Sequence, residues 1–365
     1  MTELTPEPKP VQQRHWRNWL EHRLYQHANP LQQLLCRPWS ALFNTVARQR
    51  QQRSLARAAA PAVPVIIIGN LHVGGTGKSP VVTRFATAYL EAGLRVGLLL
   101  RGYGAQTSKE PLFVTESSSV AICGDEALMH SNALARFGEQ LQVVIDPDRQ
   151  RGAYALAKAG VEVILADDGL QHYGLARDVE VVVVNAGLPL GPIATLPCGP
   201  LREPLQRLER VDKLLSQEQA PSAWLTVMPS LASKLCVYQT TTDMPVGILN
   251  HQAWPGSVRA KLVTSIARPE RVVTSLAKFG IQVEAHCFAD HQTLTQAMLE
   301  AIDDETCPLI MTSKDQVKVS AFTKPHWFVI PLKVEIPLEL IHNLLELACN
   351  RCARRSHNSK RDNYA

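Results

Sequence analysis

Residues 63–80 read Val-Pro-Val-Ile-Ile-Ile-Gly-Asn-Leu-His-Val-Gly-Gly-Thr-Gly-Lys-Ser-Pro, and the loop from Gly69 to Ser79 lies inside them. The β-branched run Val63 to Ile68 predicts a buried strand, and the apolar-periodic segment from Pro80 to Leu90 predicts a helix. Between them, Gly74, Gly75, Thr76 and Gly77 are small enough for successive backbone N–H groups to curl around phosphate oxygens. The helix N-terminus adds partial positive charge there. Lys78 is placed to reach the terminal phosphates of a nucleotide, and the Ser79 hydroxyl to ligate Mg²⁺. The full G-x-x-x-x-G-K-[ST] spacing fails, because His72 stands five places before Gly77; the match is to the tail Gly-Gly-Thr-Gly-Lys-Ser.

Working outward, further apolar runs at Val96 to Leu100, Val143 to Ile145, Val161 to Leu165 and Val179 to Val184 alternate with helical segments at Glu126 to Phe137 and Arg149 to Ala159. Strands apolar on both faces and separated by helices predict an α/β fold, a parallel, doubly wound sheet of the P-loop NTPase type. The pattern pauses at the Gly- and Pro-rich Gly187 to Pro204. Thr226 to Tyr238 reads as a poorly defined extended pair. A second alternating set follows: Leu262 to Ser265, a helix Pro269 to Phe279, Val283 to Phe288, a helix Thr293 to Ile302, Leu309 to Thr312 and Trp327 to Ile330. The expected organisation is therefore basic amphipathic helices over 1–60, a P-loop unit over 61–225 and a smaller α/β unit over 226–335. A C-terminal helix with a disordered basic tail, over 336–365, completes it.

The 365 residues suffice for two such units, and a 45% hydrophobic, 19% charged composition excludes disordered, collagen-like and coiled-coil classes. No run approaches the roughly 18 apolar residues of a membrane span, and Met1 to Arg23 lacks the apolar core of a secretory signal. A cytoplasmic protein is expected. Through residue 60 there are nine basic residues against three acidic ones, and Arg351, Arg354, Arg355, Lys360 and Arg361 add to the other end. In the first segment Trp16, Trp19, Leu20, Leu24, Leu31, Leu34, Leu35, Trp39, Leu42 and Phe43 interleave with arginines. Helices of that kind lie in a bilayer interface or pack as a hairpin on the following unit. No nucleic-acid reader motif accompanies the basic residues. The eight cysteines, with no secretory context, read as free thiols, and the Cys349/Cys352 pair lacks the two further donors a zinc site needs.

Asp167-Asp168-Gly169 directly follows the run Val161 to Ala166, so a buried strand delivers two carboxylates at its carboxyl end, where P-loop enzymes hold a Mg²⁺-binding acid. The same residues would also make an ordinary Asp-Gly turn. Gly124-Asp125-Glu126 opens a helix, where acids serve as caps. Asp125 is also suited to take the proton of a phosphoryl acceptor. Arg202-Glu203 follows the Gly/Pro loop, where an arginine would neutralise phosphate charge or join a surface ion pair. Asp290-His291 follows a strand of the second unit.

These motifs, with Arg101-Gly102-Tyr103-Gly104, Leu170-Gln171-His172, Pro204 and Thr312-Ser313-Lys314-Asp315, form one ordered set that resembles the tetraacyldisaccharide 4′-kinase family, the lipid A 4′-kinases. The resemblance implies an ATP- and Mg²⁺-dependent kinase at the cytoplasmic face of a Gram-negative inner membrane. Its acceptor would be the 4′-hydroxyl of tetraacyldisaccharide 1-phosphate and its product lipid IVA. It implies a phosphate loop at Gly74 to Ser79, with Lys78 on the terminal phosphates. The metal-handling groups would be Ser79, Asp167, Asp168 and Glu203, and the base Asp125, assisted by His291. Glu126, Arg149, His172 and Arg202 would line the phosphate region. Ser79 replaces the family's more usual Thr, Leu170 a common Phe, and Thr264-Ser265-Ile266 an expected Ala-Gly-Ile. The loop tail also resembles that of the partitioning and metal-chaperone ATPase switches, but Val73 stands where those carry a signature lysine. Those proteins have no use for Asp290-His291 either. A non-catalytic nucleotide-binding module would need fewer acids around its loop.

Overall fold

The computed structural model describes residues 30–74, 76–102, 110–115, 117–184, 194–266, 268–289 and 292–362. Its larger sheet takes β1 (Val65–Gly69), β2 (Val96–Leu100), β3 (Leu112–Phe113), β4 (Leu141–Ile145), β5 (Val163–Asp167), β6 (Val179–Val184), β7 (Lys213–Gln217) and β8 (Leu235–Thr242). The smaller contains β9 (Val246–Gly247), β10 (Arg259–Thr264), β11 (Gln282–Cys287), β12 (Leu309–Thr312) and β13 (Trp327–Ile330). A last strand, β14 (Leu332–Glu335), returns to the larger sheet, whose order is β14-β8-β7-β6-β1-β5-β2-β4-β3. Every pairing from β8 through β4 is parallel, and the edge strands β14 and β3 are antiparallel. The expected α/β class and mostly parallel sheet are what the chain forms.

β1, β2, β5 and β6 are buried at every position, as their unbroken apolar runs require. Side chains alternate across a strand, so β1 feeds two cores. Ile66 and Ile68 meet Val81, Phe85 and Tyr89 of the helix Lys78–Glu91, whereas Val65 and Ile67 meet Ala153 and Leu156 of the helix Arg149–Lys158. The smaller sheet, ordered β11-β10-β12-β13-β9, is likewise covered on both faces.

Three expectations change. Thr226 to Tyr238 is not an extended pair: it comprises the end of a helix (Ser222–Val227), a 3-10 segment (Pro229–Lys234) and the start of β8. Residues 235–242 thus extend the larger sheet, beside the unanticipated β7, instead of opening the smaller unit. The C-terminal helix runs Leu338–Asp362, through most of the tail expected to be disordered, and packs Ile341, Leu344 and Ala348 on the face that holds Ile66. Burial of side chains such as Ile341 and Leu344 contributes roughly 1.5–3 kcal/mol each. Finally, two arginines assigned to a basic tail serve the fold. Arg355 pairs with Asp178 (3.0 Å) and donates to the carbonyls of Ala60 and Pro61, and Arg351 pairs with Asp212 (2.8 Å).

The N-terminal basic segment is described from Pro30, as a single helix Pro30–Leu55. Ser40 ties one side of it to the loop at 195–196, its Oγ donating to the Thr195 carbonyl (3.0 Å) and lying 2.6 Å from Thr195 Oγ1. Leu35, Trp39, Leu42 and Val46, spaced by four, three and four, form an apolar stripe that is 66, 64, 56 and 41% exposed. No described helix is long and apolar enough to cross a membrane.

Candidate active site

The site grows from the carboxyl end of β1. Gly69 permits its close approach to the next strand's turn: a Cβ there would fall 2.7 Å from Leu170 Cβ. Asn70 then pins the loop from inside, its Nδ2 donating to Thr76 Oγ1 (3.0 Å). At the helix start Gly77 takes φ +77°, a left-handed conformation that a side chain would strain. Lys78 and Ser79 open the helix Lys78–Glu91.

His72, the residue that spoils the strict motif, is buried and stacks on Trp224 with ring centroids 5.0 Å apart. Burial, and then the nearby Arg268 and Arg202 charges, lower its pKa to about 4, so it is a neutral imidazole near pH 7. It sits in a short pairing between the phosphate loop and the Gly/Pro-rich segment. Val73 N donates to the Pro200 carbonyl (2.9 Å) and Arg202 N to the Leu71 carbonyl (2.8 Å). That pairing is what brings Arg202 to the loop.

Parallel pairing of β1 with β5, Ile68 opposite Asp167, sets both acids beside the same loop. Asp168 lies 3.2 Å from Lys78 Nζ, and Arg202 Nη1 donates to both of its carboxylate oxygens at 3.0 and 3.1 Å. Burial acts to raise the Asp168 pKa, but Lys78 and Arg202 together hold it at about 2. Its φ of 50° is unusual for a residue other than glycine. Asp167 is different. Its Oδ1 is buried without a hydrogen-bond partner, and its Oδ2 lies 3.6 Å from Nε2 of the fully buried His130. His130, fixed through Nδ1 to Thr83 Oγ1 (2.9 Å), was not foreseen; only its place one helical turn after Glu126 hints at it.

Asp125 begins the helix Asp125–Leu134 and is 5% exposed. The smaller unit comes to it there: the helix Ser313–Val319 packs alongside, and Lys318 Nζ lies 3.6 Å from Asp125 Oδ2. A second bridge between the units, Arg271 Nη1 to Gln217 Oε1 (2.6 Å), lies at the end of β7, next to Gly77.

The remaining expected residues divide. Arg149 does not line the pocket as a phosphate ligand. Its guanidinium donates to the carbonyls of Leu99 (2.7 Å) and Asp167 (2.6 Å), clamping the ends of β2 and β5, and burial lowers its pKa to about 10. His172 sits in the turn after Asp168, and burial, followed by the Arg149 and Arg101 charges, lowers its pKa to about 4. Glu203, expected among the metal-handling groups, has one carboxylate oxygen, Oε1, buried without a hydrogen-bond partner and the other engaged elsewhere. Its Oε2 accepts from Tyr173 and faces Arg207 Nε (3.5 Å), in a cluster completed by Glu180, and it has no contact with Lys78, Asp167 or Asp168 among the described residues. Glu126 occupies the same first turn as Asp125. Gly75, Asp290 and His291 lie outside the described residues.

A lysine at the mouth of a glycine-rich loop, an arginine and two strand-end carboxylates define a P-loop phosphotransferase on a doubly wound sheet. The family model for the LpxK tetraacyldisaccharide-1-P 4′-kinases matches residues 32–348, and the chain belongs to that family. It is 35% identical over 319 residues to the tetraacyldisaccharide 4′-kinase of Alcanivorax borkumensis, covering 86% of this chain and 93% of that one. It is 38% identical over 304 residues to that of Pseudomonas fluorescens, covering 81% and 86%. The crystal structure of LpxK from Aquifex aeolicus in complex with ATP superposes with a TM-score of 0.67 at 26% identity, covering 87% of this chain and 99% of that one.

Proposed function

We propose that the chain transfers the γ-phosphate of ATP to the 4′-hydroxyl of tetraacyldisaccharide 1-phosphate, forming lipid IVA for lipid A biosynthesis. The observation that carries this reading is the Lys78–Asp168–Arg202 cluster at the phosphate loop, in a chain of the family named for the reaction. Lys78 and the backbone of Gly74 to Ser79 hold the phosphates, and Arg202 balances charge as it develops on the transferred group. Asp125, assisted by His291, takes the proton of the 4′-hydroxyl as the O4′–P bond forms. The bond from the γ-phosphorus to the bridging oxygen breaks and ADP leaves with the electron pair.

Ser79, Asp167 and Asp168 are the residues that would hold Mg²⁺, and the partnerless, buried Asp167 Oδ1 fits such a cation. Among the described residues no group of three or more His, Cys, Asp or Glu forms a metal cage. Magnesium ions shared with nucleotide phosphates need only one or two carboxylates. Bound there, the ion would offset phosphate charge.

The acceptor is acylated and stays in a bilayer, so we assign the enzyme to the cytoplasmic face of the inner membrane, docked by the stripe Leu35, Trp39, Leu42 and Val46. Replacing Leu35, Trp39 and Leu42 together by serine is expected to cut co-sedimentation with phosphatidylglycerol vesicles about tenfold while ATP affinity holds. Unchanged sedimentation would remove the stripe from the account. The reaction itself is tested by locating the new phosphate with phosphorus–proton correlation spectroscopy on the lipid product. Attachment at O4′ is expected, and attachment at any other hydroxyl contradicts the assignment.

A further inference from the structure

Lys318 is a long, flexible cation, yet its side chain is only 3% exposed. Such a group is held buried only by full pairing. Its anchor is Asp315, one helical turn before it and 0% exposed, which faces its Nζ at 3.2 Å. Asp315 is itself fixed from three sides. It accepts from Thr264 Oγ1 (3.1 Å), Thr312 Oγ1 (2.7 Å), and the backbone N–H and hydroxyl of Ser265. The Ser265 hydroxyl also accepts from Lys318 Nζ (2.5 Å). Thr264 and Ser265, where the resemblance led to an expected Ala-Gly, thus build the seat of this ammonium. All of these residues belong to the smaller unit, on β10 and the residue that follows it, on β12 or on the helix Ser313–Val319, but the charge they aim lies 3.6 Å from Asp125 Oδ2 in the larger one.

We propose that Lys318 is a positioning residue for phosphoryl transfer: seated by Asp315 and Ser265, its ammonium keeps the Asp125 carboxylate ionised and aimed at the acceptor hydroxyl. This rests on the reading of Asp125 as the base. A nearby ammonium stabilises the ionised carboxylate that must receive the proton. Because the seat belongs to one unit and the base to the other, the base is complete only when the two are packed together. Lys318 touches no reacting atom, so its contribution is transmitted through Asp125 and depends on Asp125 being present.

The test is a double-mutant cycle with full-length protein, ATP and tetraacyldisaccharide 1-phosphate in detergent micelles. Lys318→Met is expected to lower kcat about 10- to 100-fold with the KM for ATP unchanged, and Lys318→Arg, which keeps the charge, to recover most of the loss. In an Asp125→Asn background the same Lys318→Met change is expected to alter the residual kcat by less than about twofold. Equal fold-losses in both backgrounds, or wild-type kcat in Lys318→Met, overturn the proposal and leave the base assignment standing if Asp125→Asn alone is inactive. Wild-type turnover in Asp125→Asn defeats the base assignment itself, and the proposal with it. Should Lys318→Met fail to bind ATP, Ser265→Ala decides: a several-fold fall in kcat at unchanged ATP affinity supports the seat, and unchanged kcat overturns it.

Discussion

Replacing Lys78 by alanine is expected to lower lipid phosphorylation about 10³-fold or more, the largest effect of any single change in this chain. Lys78 is the cation that the phosphate loop presents at the start of its helix, 14% exposed and 3.2 Å from Asp168. Its loss removes the charge that bridges the terminal phosphates, and it leaves Asp168 balanced by Arg202 alone among the described contacts. Lys78→Arg is not expected to rescue, because a planar guanidinium cannot replace a compact ammonium beside a loop whose backbone N–H groups close around phosphate. Both variants should fold, since the buried residues of the loop region, Asn70, Leu71, His72 and Thr76, are untouched. Transfer rates within about tenfold of wild type in Lys78→Ala would mean that the loop does not hold the reacting phosphates.

Asp125→Asn separates chemistry from binding. The amide keeps the size and most of the hydrogen bonding of the carboxylate but cannot accept the proton, so kcat is expected to fall about 10²- to 10⁴-fold. Asp125 belongs to the helix Asp125–Leu134 and is not part of the phosphate loop, and the dissociation constant for ATP should stay within about twofold of wild type. Calorimetry with ATP alone and turnover with the lipid measure the two quantities independently. A parallel loss of ATP affinity would instead place Asp125 at the nucleotide.

What the sequence made legible follows from which groups face inward. β1, β5 and β6 are buried on both faces, so their composition identifies them without knowledge of neighbours, and Asp167-Asp168 is placed by the strand that precedes it. β8 buries only Tyr238 fully, beside the edge strand β14, and β14 arrives only after the chain has built the whole smaller sheet. Neither periodicity nor spacing reports such a return. Glu203 and Arg149 show a second limit. Both are charged and both were expected around the phosphates and metal, but only the backbone path decides that Arg149 spends its donors on the carbonyls of Leu99 and Asp167 and that Glu203 accepts from Tyr173. His130 and Lys318 were invisible for a related reason: each acts through one partner brought close by packing of helices, Asp167 in one case and Asp125 in the other. His72 looked like a defect in a motif and proves to be a packing residue of the loop.

The ATPase-switch alternative differs from the kinase in where the γ-phosphate goes. Val73, where such switches carry a signature lysine, uses its backbone to hold the Gly/Pro-rich segment and so to present Arg202. The most direct test is the partition of label from γ-labelled ATP between lipid and free phosphate, with tetraacyldisaccharide 1-phosphate in detergent micelles and Lys78→Ala as the blank. The kinase assignment predicts a Mg²⁺-dependent labelled lipid, with little free phosphate and neither product from the blank. Label released to water as free phosphate by folded protein, with none on the lipid, would contradict it.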